Sequence, residues 1–105
     1  MVVALLGFGR FGRALGSLLG DAGISYRALD PRAAVPIAAR ATTLPELVSG
    51  ASFVVLAVPV PSTREALESL RPHLAPGQIV LDVGSVKVRP FGDLEAEGEI
   101  GRAHV

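Results

Sequence analysis

The sequence predicts a single α/β domain over residues 1–105, built on a doubly wound parallel sheet. Three observations carry that reading. The apolar run Val2-Val3-Ala4-Leu5-Leu6 passes at once into Gly7-Phe8-Gly9-Arg10-Phe11-Gly12 and a helical pattern, so a buried strand turns sharply into a helix. Strand-like and helix-like stretches then alternate with no internal repeat and no linker, the pattern of parallel strands joined by helical crossovers. Finally, Phe53-Val54-Val55-Leu56-Ala57-Val58 is continuously apolar, as a strand covered by helices on both faces requires.

Composition limits what such a domain can do. Half of the residues are apolar and 19% charged, which excludes disorder, and ten Lys and Arg balance ten Asp and Glu, leaving no field to attract nucleic acid. Small molecules or other proteins are the expected partners. There is no cysteine, hence no disulfide framework or thiolate chemistry, and two isolated histidines do not make a metal site. The N-terminus lacks a basic n-region and its apolar run stops at Gly7, so neither a signal peptide nor a membrane span is expected, and the cytoplasm is the default compartment.

The helix opened by the glycine turn is expected to run to about Ala22. The three glycines of the turn serve different ends, since Gly7 permits the bend, Gly9 lets the backbone approach a pyrophosphate, and Gly12 seats the helix against the sheet. Unpaired N–H groups at the helix start, at the positive end of its dipole, then face the phosphates. Phe11, Ala14, Leu15, Leu18, Leu19 and Ala22 recur at helical spacing and form a stripe expected to face the sheet, with Gly16 and Gly20 continuing the face begun by Gly12. Gly23 reads as the C-terminal cap. Ile24 to Leu29 makes the second strand, which Asp30-Pro31 ends because proline cannot continue the ladder. Asp30 therefore sits at a strand tip eighteen residues past Gly12, where an acid accepts the ribose hydroxyls of NAD and repels an adenosine 2′-phosphate. NAD is the expected cofactor and NADP the less favoured one. Arg32 could still pair with a 2′-phosphate, and Asp30 could serve only to start an Asp-Pro turn. Arg10 and Arg13 lie in the first helical turns, within reach of phosphate, although Arg13 reads more readily as solvated surface.

Residues 32–42 are Ala-rich and interrupted by Pro36, which suggests one helical turn and a short strand. Thr43-Leu44-Pro45-Glu46 has capping-box spacing and predicts a short helix to about Ser49, stopped by Gly50. The apolar strand from Ser52 to Val58 should be central. Pro59-Val60-Pro61 breaks it, and Ser62-Thr63-Arg64-Glu65 repeats the capping-box spacing before a helix carrying Ala66, Leu67, Leu70 and Leu74, tightened or ended by Pro72. The turn Ala75-Pro76-Gly77 precedes a strand from Gln78 to Asp82, then a loop, a helix around Pro90 to Glu97 capped by Gly98, and a last strand near Arg102 to Val105. Sheets of this kind bind ligands at the C-terminal strand ends, beside the switch in strand order. That crevice is expected to bind the cofactor through Gly7, Phe8, Gly9, Arg10, Phe11, Gly12, Asp30, Arg32, Val58, Pro59, Ser62 and Gly84.

Val54 to Pro61, read VVLAVPVP, Asp82 to Lys87, read DVGSVK, and the GFGRFG turn together resemble the prephenate/arogenate dehydrogenase family, over essentially the whole chain. Related 3-hydroxyacid and 6-phosphogluconate dehydrogenases share the glycine turn and the proline-bearing loop but lack the D-x-G-S-x-K stretch. The resemblance implies a Rossmann-type NAD-binding domain with Ser85 and Lys87 beside the nicotinamide. It also implies a catalytic histidine downstream of that serine, within a G-G-H-P stretch. His104 stands nineteen residues past Ser85 in Gly101-Arg102-Ala103-His104-Val105, with Ala103 and Val105 in place of the usual glycine and proline. The implied reaction is the oxidative decarboxylation of prephenate or arogenate in tyrosine biosynthesis. NAD accepts hydride, a neutral His104 accepts the hydroxyl's hydrogen bond, and carbon dioxide leaves as the ring aromatises, with Ser85 holding the hydroxyl or the nicotinamide.

In that family a helical second domain mediates dimerisation and supplies cations for the substrate's carboxylates, and the resemblance covers only the nucleotide-binding half. The isolated chain is therefore expected to be catalytically incomplete, and to self-associate or take a helical partner domain. Read without the family, Ser85 can be a helix cap, Lys87 a surface charge and His104 a frayed terminal residue. The competing function is then a nucleotide-binding module without catalysis. His73, after a proline on a polar turn, reads as solvated.

Overall fold

Pleating explains how the apolar strands are covered twice. In the computed structural model, which describes residues 1–83 and the backbone of 102–104, five parallel strands form one sheet in the order β2-β1-β3-β4-β5. They are β1 (Val2–Leu6), β2 (Ser25–Leu29), β3 (Phe53–Leu56), β4 (Ile79–Asp82) and β5 (Arg102–His104). Alternate side chains leave opposite faces of a strand. Ala4, Leu6, Val54, Leu56 and Val80 accordingly pack under Leu47 and Val48 of α2 (Leu44–Val48) and Leu67 and Leu70 of α3 (Thr63–Leu70). Val3, Leu5, Ala28 and Val55 pack on the other face, against Leu15 and Leu19 of α1 (Arg10–Asp21). The sheet is doubly wound, and β3 is its central strand. The expected helix around residues 90–97 lies outside the described residues.

The chain leaves β1 to one side to form β2 and returns to the other side to form β3, which puts the switch in strand order between β1 and β3. Beyond β2 the expected short strand is reduced to one parallel bridge, Ala28 with Arg40, in which Ala41 N–H donates to the Ala28 carbonyl at 2.9 Å. A single 3-10 turn, Ile37–Ala39, precedes it. Alanine offers a ladder little side chain to pack, so the segment does not extend further. Counting this bridge as a strand gives the chain order third, second, first, fourth, fifth, sixth, which is that of the Rossmann-type sheet.

Helix α1 corrects the expected packing stripe. Gly12 and Gly16 are its buried residues, whereas Phe11 is 50% and Leu18 66% exposed. A Cβ on Gly16 would stand 3.0 Å from the Tyr26 ring and 3.2 Å from Phe8. The helix thus approaches the sheet along its glycines with Leu15 and Leu19 beside them, while Phe11 and Leu18 stand about 100° round the axis from that contact. Gly20 is not on that contact, since a Cβ there would meet nothing within 4 Å. The helix ends as expected: Gly23, at φ +73°, donates its N–H to the Gly20 carbonyl, and Ile24 N–H reaches Leu19 at 2.9 Å, the paired bonds of a Schellman motif.

Of the two expected capping boxes, one forms. Thr43 Oγ1 accepts the Glu46 N–H at 3.2 Å, while the Glu46 carboxylate returns to the Thr42 N–H at 2.8 Å, one residue before the cap. At Ser62 no side-chain cap forms. Pro59 and Pro61 start a 3-10 turn, Val60–Ser62, that runs directly into α3, so Ser62 is already helical (φ −96°, ψ −4°) and not extended as a cap must be. Pro72 then ends α3 in another 3-10 turn, Arg71–His73. Among the described residues no helix is long and apolar enough to cross a membrane.

Polar contacts fasten the amino-terminal side of the sheet. The last carbonyls of α2 and the residues after it, Leu47, Val48, Ser49 and Ala51, lack partners within so short a helix. Arg27 donates to Leu47 at 3.2 Å and also to Ser49. The buried Gln78 amide donates to Val48 at 2.7 Å and Ala51 at 2.9 Å, and its oxygen accepts the Ala75 N–H at 2.8 Å.

Candidate functional site

The carboxyl ends of β1, β2 and β3 meet at the glycine turn. Gly7 has φ +103°, and a Cβ there would lie 2.4 Å from the Ala57 carbonyl oxygen, so only glycine fits. Its N–H donates to the Leu29 carbonyl at 2.9 Å, and Ala57 N–H donates to Leu6 at 2.8 Å, which wedges the turn between the ends of β2 and β3. Gly12 is constrained from beneath, a Cβ there falling 2.5 Å from the Gly7 oxygen. Gly9 is the opposite case: a Cβ would meet nothing within 4 Å, and the backbone is open at this point. Helix α1 begins just after it with no side-chain cap bond and no acidic residue in its first turn. Its first N–H groups and the positive dipole end are thus presented to an anion.

Asp30 closes the next side. Its Oδ2 accepts the Phe8 N–H at 2.8 Å and its Oδ1 accepts the Arg32 N–H at 2.9 Å, so the carboxylate is braced across the glycine turn and its own loop. Each oxygen keeps a second acceptor position for a ligand hydroxyl. A groove of about 390 Å³ results, lined by Leu6, Gly7, Gly9, Leu29, Asp30, Pro31, Arg32, Ala57, Val58, Pro59 and Ser62. A second hollow of about 340 Å³ lies beyond the Asp30-Pro31 tip, toward Val35, Arg40 and Thr42.

The groove thus brings together Gly7, Gly9, Asp30, Arg32, Val58, Pro59 and Ser62 from the expected set. Phe8 is placed in the core, its ring stacked on Tyr26 at 6.3 Å between centroids, and it reaches the site only through its N–H on Asp30. Arg10 and Phe11 are exposed on α1 and do not line the groove, and Gly12 supports it from below. Gly84, Ser85 and Lys87 lie outside the described residues. His104 is on β5, in register with Asp82 at the carboxyl end of β4. Sequence reasoning missed the apolar lining, Leu6, Leu29, Pro31 and Ala57, although each flanks a strand tip that is recognisable in the sequence. It also missed the Phe8–Asp30 bond, for which a backbone donor leaves no signal.

A parallel sheet with its switch point at a glycine turn, an open helix start and a braced acid at the neighbouring strand tip defines a nucleotide-binding domain of the NAD(P) type. The chain belongs to the prephenate dehydrogenase family: residues 22–105 match that family's nucleotide-binding domain. The match begins after the glycine turn, so turn and family are separate observations. Among solved structures, Synechocystis arogenate dehydrogenase superposes with a TM-score of 0.73 at 28% identity, over 83% of this chain and 34% of that one. A 3-hydroxyisobutyrate dehydrogenase of Mycobacterium tuberculosis gives 0.67 at 25% identity, over 77% and 30%. Pyrroline carboxylate reductase of Plasmodium falciparum, solved with NADP bound, gives 0.69 at 18% identity over 79% and 33%, a likeness of fold alone. The chain therefore spans about a third of the length of these proteins. No curated protein matches it in sequence.

Proposed function

We propose that this chain is the NAD-binding part of a cytoplasmic enzyme that oxidatively decarboxylates prephenate or arogenate on the way to tyrosine. The observation that carries the reading is the groove joining the glycine turn, Asp30 and the Pro59–Ser62 loop at the switch point, in a chain of this family. The open backbone at Gly9 and the start of α1 would hold the pyrophosphate, and the free acceptor positions of Asp30 the ribose hydroxyls. The negative charge of Asp30 opposes a 2′-phosphate, which favours NAD over NADP. NAD supplies the hydride acceptor. Ser85 and Lys87 are assigned to the substrate side, and His104, at the end of β5, to acceptance of the substrate's hydroxyl proton as a neutral imidazole. A helical second domain would bring the cations that orient the substrate's carboxylates.

The test follows NADH formation with prephenate and with arogenate, for the chain alone and again with a helical domain fused. Turnover only in the fusion, lost in His104→Asn, is expected. Robust turnover by the chain alone would overturn the need for that domain, and silence in both would leave a nucleotide-binding module without catalysis. Exposed Phe11 and Leu18 also favour self-association of the chain, which a clean monomer in sedimentation equilibrium would rule out.

A further inference from the structure

The groove and the second hollow meet at the Asp30-Pro31 tip, and NAD as placed above uses only the groove. Leu29, Asp30 and Pro31 are a wall common to both, and the two arginines nearby are divided between them. Arg32 lines the groove. Arg40 lines the hollow, where its guanidinium donates to the carbonyl of Val35, another lining residue, at 3.1 Å. That bond holds the side chain at the wall and uses one of its several N–H donors. Thr42 adds a hydroxyl to the same hollow, while Glu46, whose carboxylate accepts the Thr42 N–H, does not line it. A guanidinium and a hydroxyl thus border about 340 Å³ of open space directly behind the acid assigned to the ribose.

A ribose hydrogen-bonded to Asp30 has its 2′ oxygen at this tip. A group attached to that oxygen can extend into the groove, which the body of the dinucleotide fills, or into the hollow. A phosphoryl group displaces the volume of a few waters, about 30 Å³ each, so the hollow has room for it. A guanidinium suits such a group, because its paired N–H donors match two phosphate oxygens. What opposes a phosphate here is Asp30, which lines both spaces with its carboxylate. We infer that the hollow is a seat for a phosphate monoester with Arg40 as its cation, and that NADP is kept out by the charge of Asp30 and not by want of room. Arg40 is then the second residue that determines cofactor specificity, acting against Asp30, and neutralising the acid is enough to bring the seat into use.

This inference rests on the proposed place of the ribose at Asp30, and its test lets the two fail separately. Calorimetry compares NAD, NADP, 5′-AMP and adenosine 2′,5′-bisphosphate on the intact chain. In Asp30→Asn the affinity for NADP should rise about tenfold although that for NAD falls, and the bisphosphate should gain where 5′-AMP does not. Adding Arg40→Gln should take the gain away, whereas adding Arg32→Gln, on the groove side, should weaken NAD and NADP alike. No gain for NADP in Asp30→Asn, or a gain that survives Arg40→Gln, would overturn the inference. If Asp30→Asn does not fold, salt decides on the wild-type chain. At about 1 M, where the Debye length is about 3 Å, the preference for NAD over NADP should narrow. Exclusion by a wall is indifferent to salt, so an unmoved preference would count against the seat. Loss of NAD affinity in Asp30→Asn without a gain for NADP removes the seat and leaves the ribose at Asp30. NAD affinity that does not respond to Asp30→Asn removes the ribose from Asp30, and the seat with it.

Discussion

Gly9 and Gly12 belong to one turn and meet opposite surroundings, and their substitutions should fail in different ways. Gly9→Val adds a side chain to open space, so the domain should fold with its normal melting temperature and lose NAD binding in calorimetry. Gly12→Ala drives a Cβ toward the Gly7 carbonyl, so stability and binding should fall together. Gly20→Ala, with nothing near its new methyl, should stabilise the domain by about 0.5–1 kcal/mol through helix propensity alone, read from urea unfolding. Asp30→Ala removes both the proposed ribose acceptor and the brace on Phe8 and Arg32. NAD affinity should drop by about 1.5–3 kcal/mol, the worth of hydrogen bonds to a charged group, and the preference over NADP should shrink. A preference that stayed unchanged in calorimetry with both cofactors would remove Asp30 as its source. Gly7 and Gly12 were legible because a positive φ or a close approach restricts residue type there, which the sequence records. The hydrogen bond from Phe8 was not, because every non-proline residue offers the same N–H.

At the scale of elements, the two threonine- and serine-headed helices separate spacing from geometry. Thr43→Ala should cost about 1 kcal/mol, because that hydroxyl accepts a first-turn N–H. Ser62→Ala should change stability by less than about 0.5 kcal/mol, because Ser62 caps nothing and lines the groove instead. Thermal unfolding of the two variants side by side checks the pair, and equal losses would refute it. The same contrast explains what could be read of the helices. Capping-box spacing located both starts, but the sequence did not reveal that two prolines would begin the turn three residues early. In α1 the period was right and the inward face proved narrower than the stripe: Leu15, Leu19, Gly12 and Gly16 meet the sheet, and Phe11 and Leu18 do not. Counting large apolar residues as the inward side ignores that a helix comes closest to a sheet where it has no side chains, along Gly12 and Gly16. The third strand faded to the Ala28–Arg40 bridge for a related reason: alanines permit an extended chain without rewarding it.

For the whole molecule, parallel strands give the two edges of the sheet different contents. Turn, acid, proline loop and the end of β5 all lie at the carboxyl edge, while the Gln78 amide ties β4's start to the chain leaving α2 on the opposite side. Gln78→Met, similar in volume but without the amide, would take away the Gln78 contacts of the Ala51 carbonyl and the Ala75 N–H and leave the Val48 carbonyl with the Ala51 N–H alone. It should cost at least about 2 kcal/mol in urea unfolding and leave NAD affinity in calorimetry unaltered, and a parallel loss of affinity would show the edges to be coupled. Fold class, the central place of the Phe53–Leu56 strand and the location of the groove were legible at this scale because hydrophobic runs and turn residues determine which strands are central and where they end. The Gln78 staple was not, since a glutamine before a strand has no distinguishing pattern. Its placement bears on divergence. A chain whose folding is secured at one edge is free to vary at the other, so the Pro59–Ser62 loop can be re-lined for a different ligand by ordinary point substitutions, with no compensating change near Gln78 or Arg27.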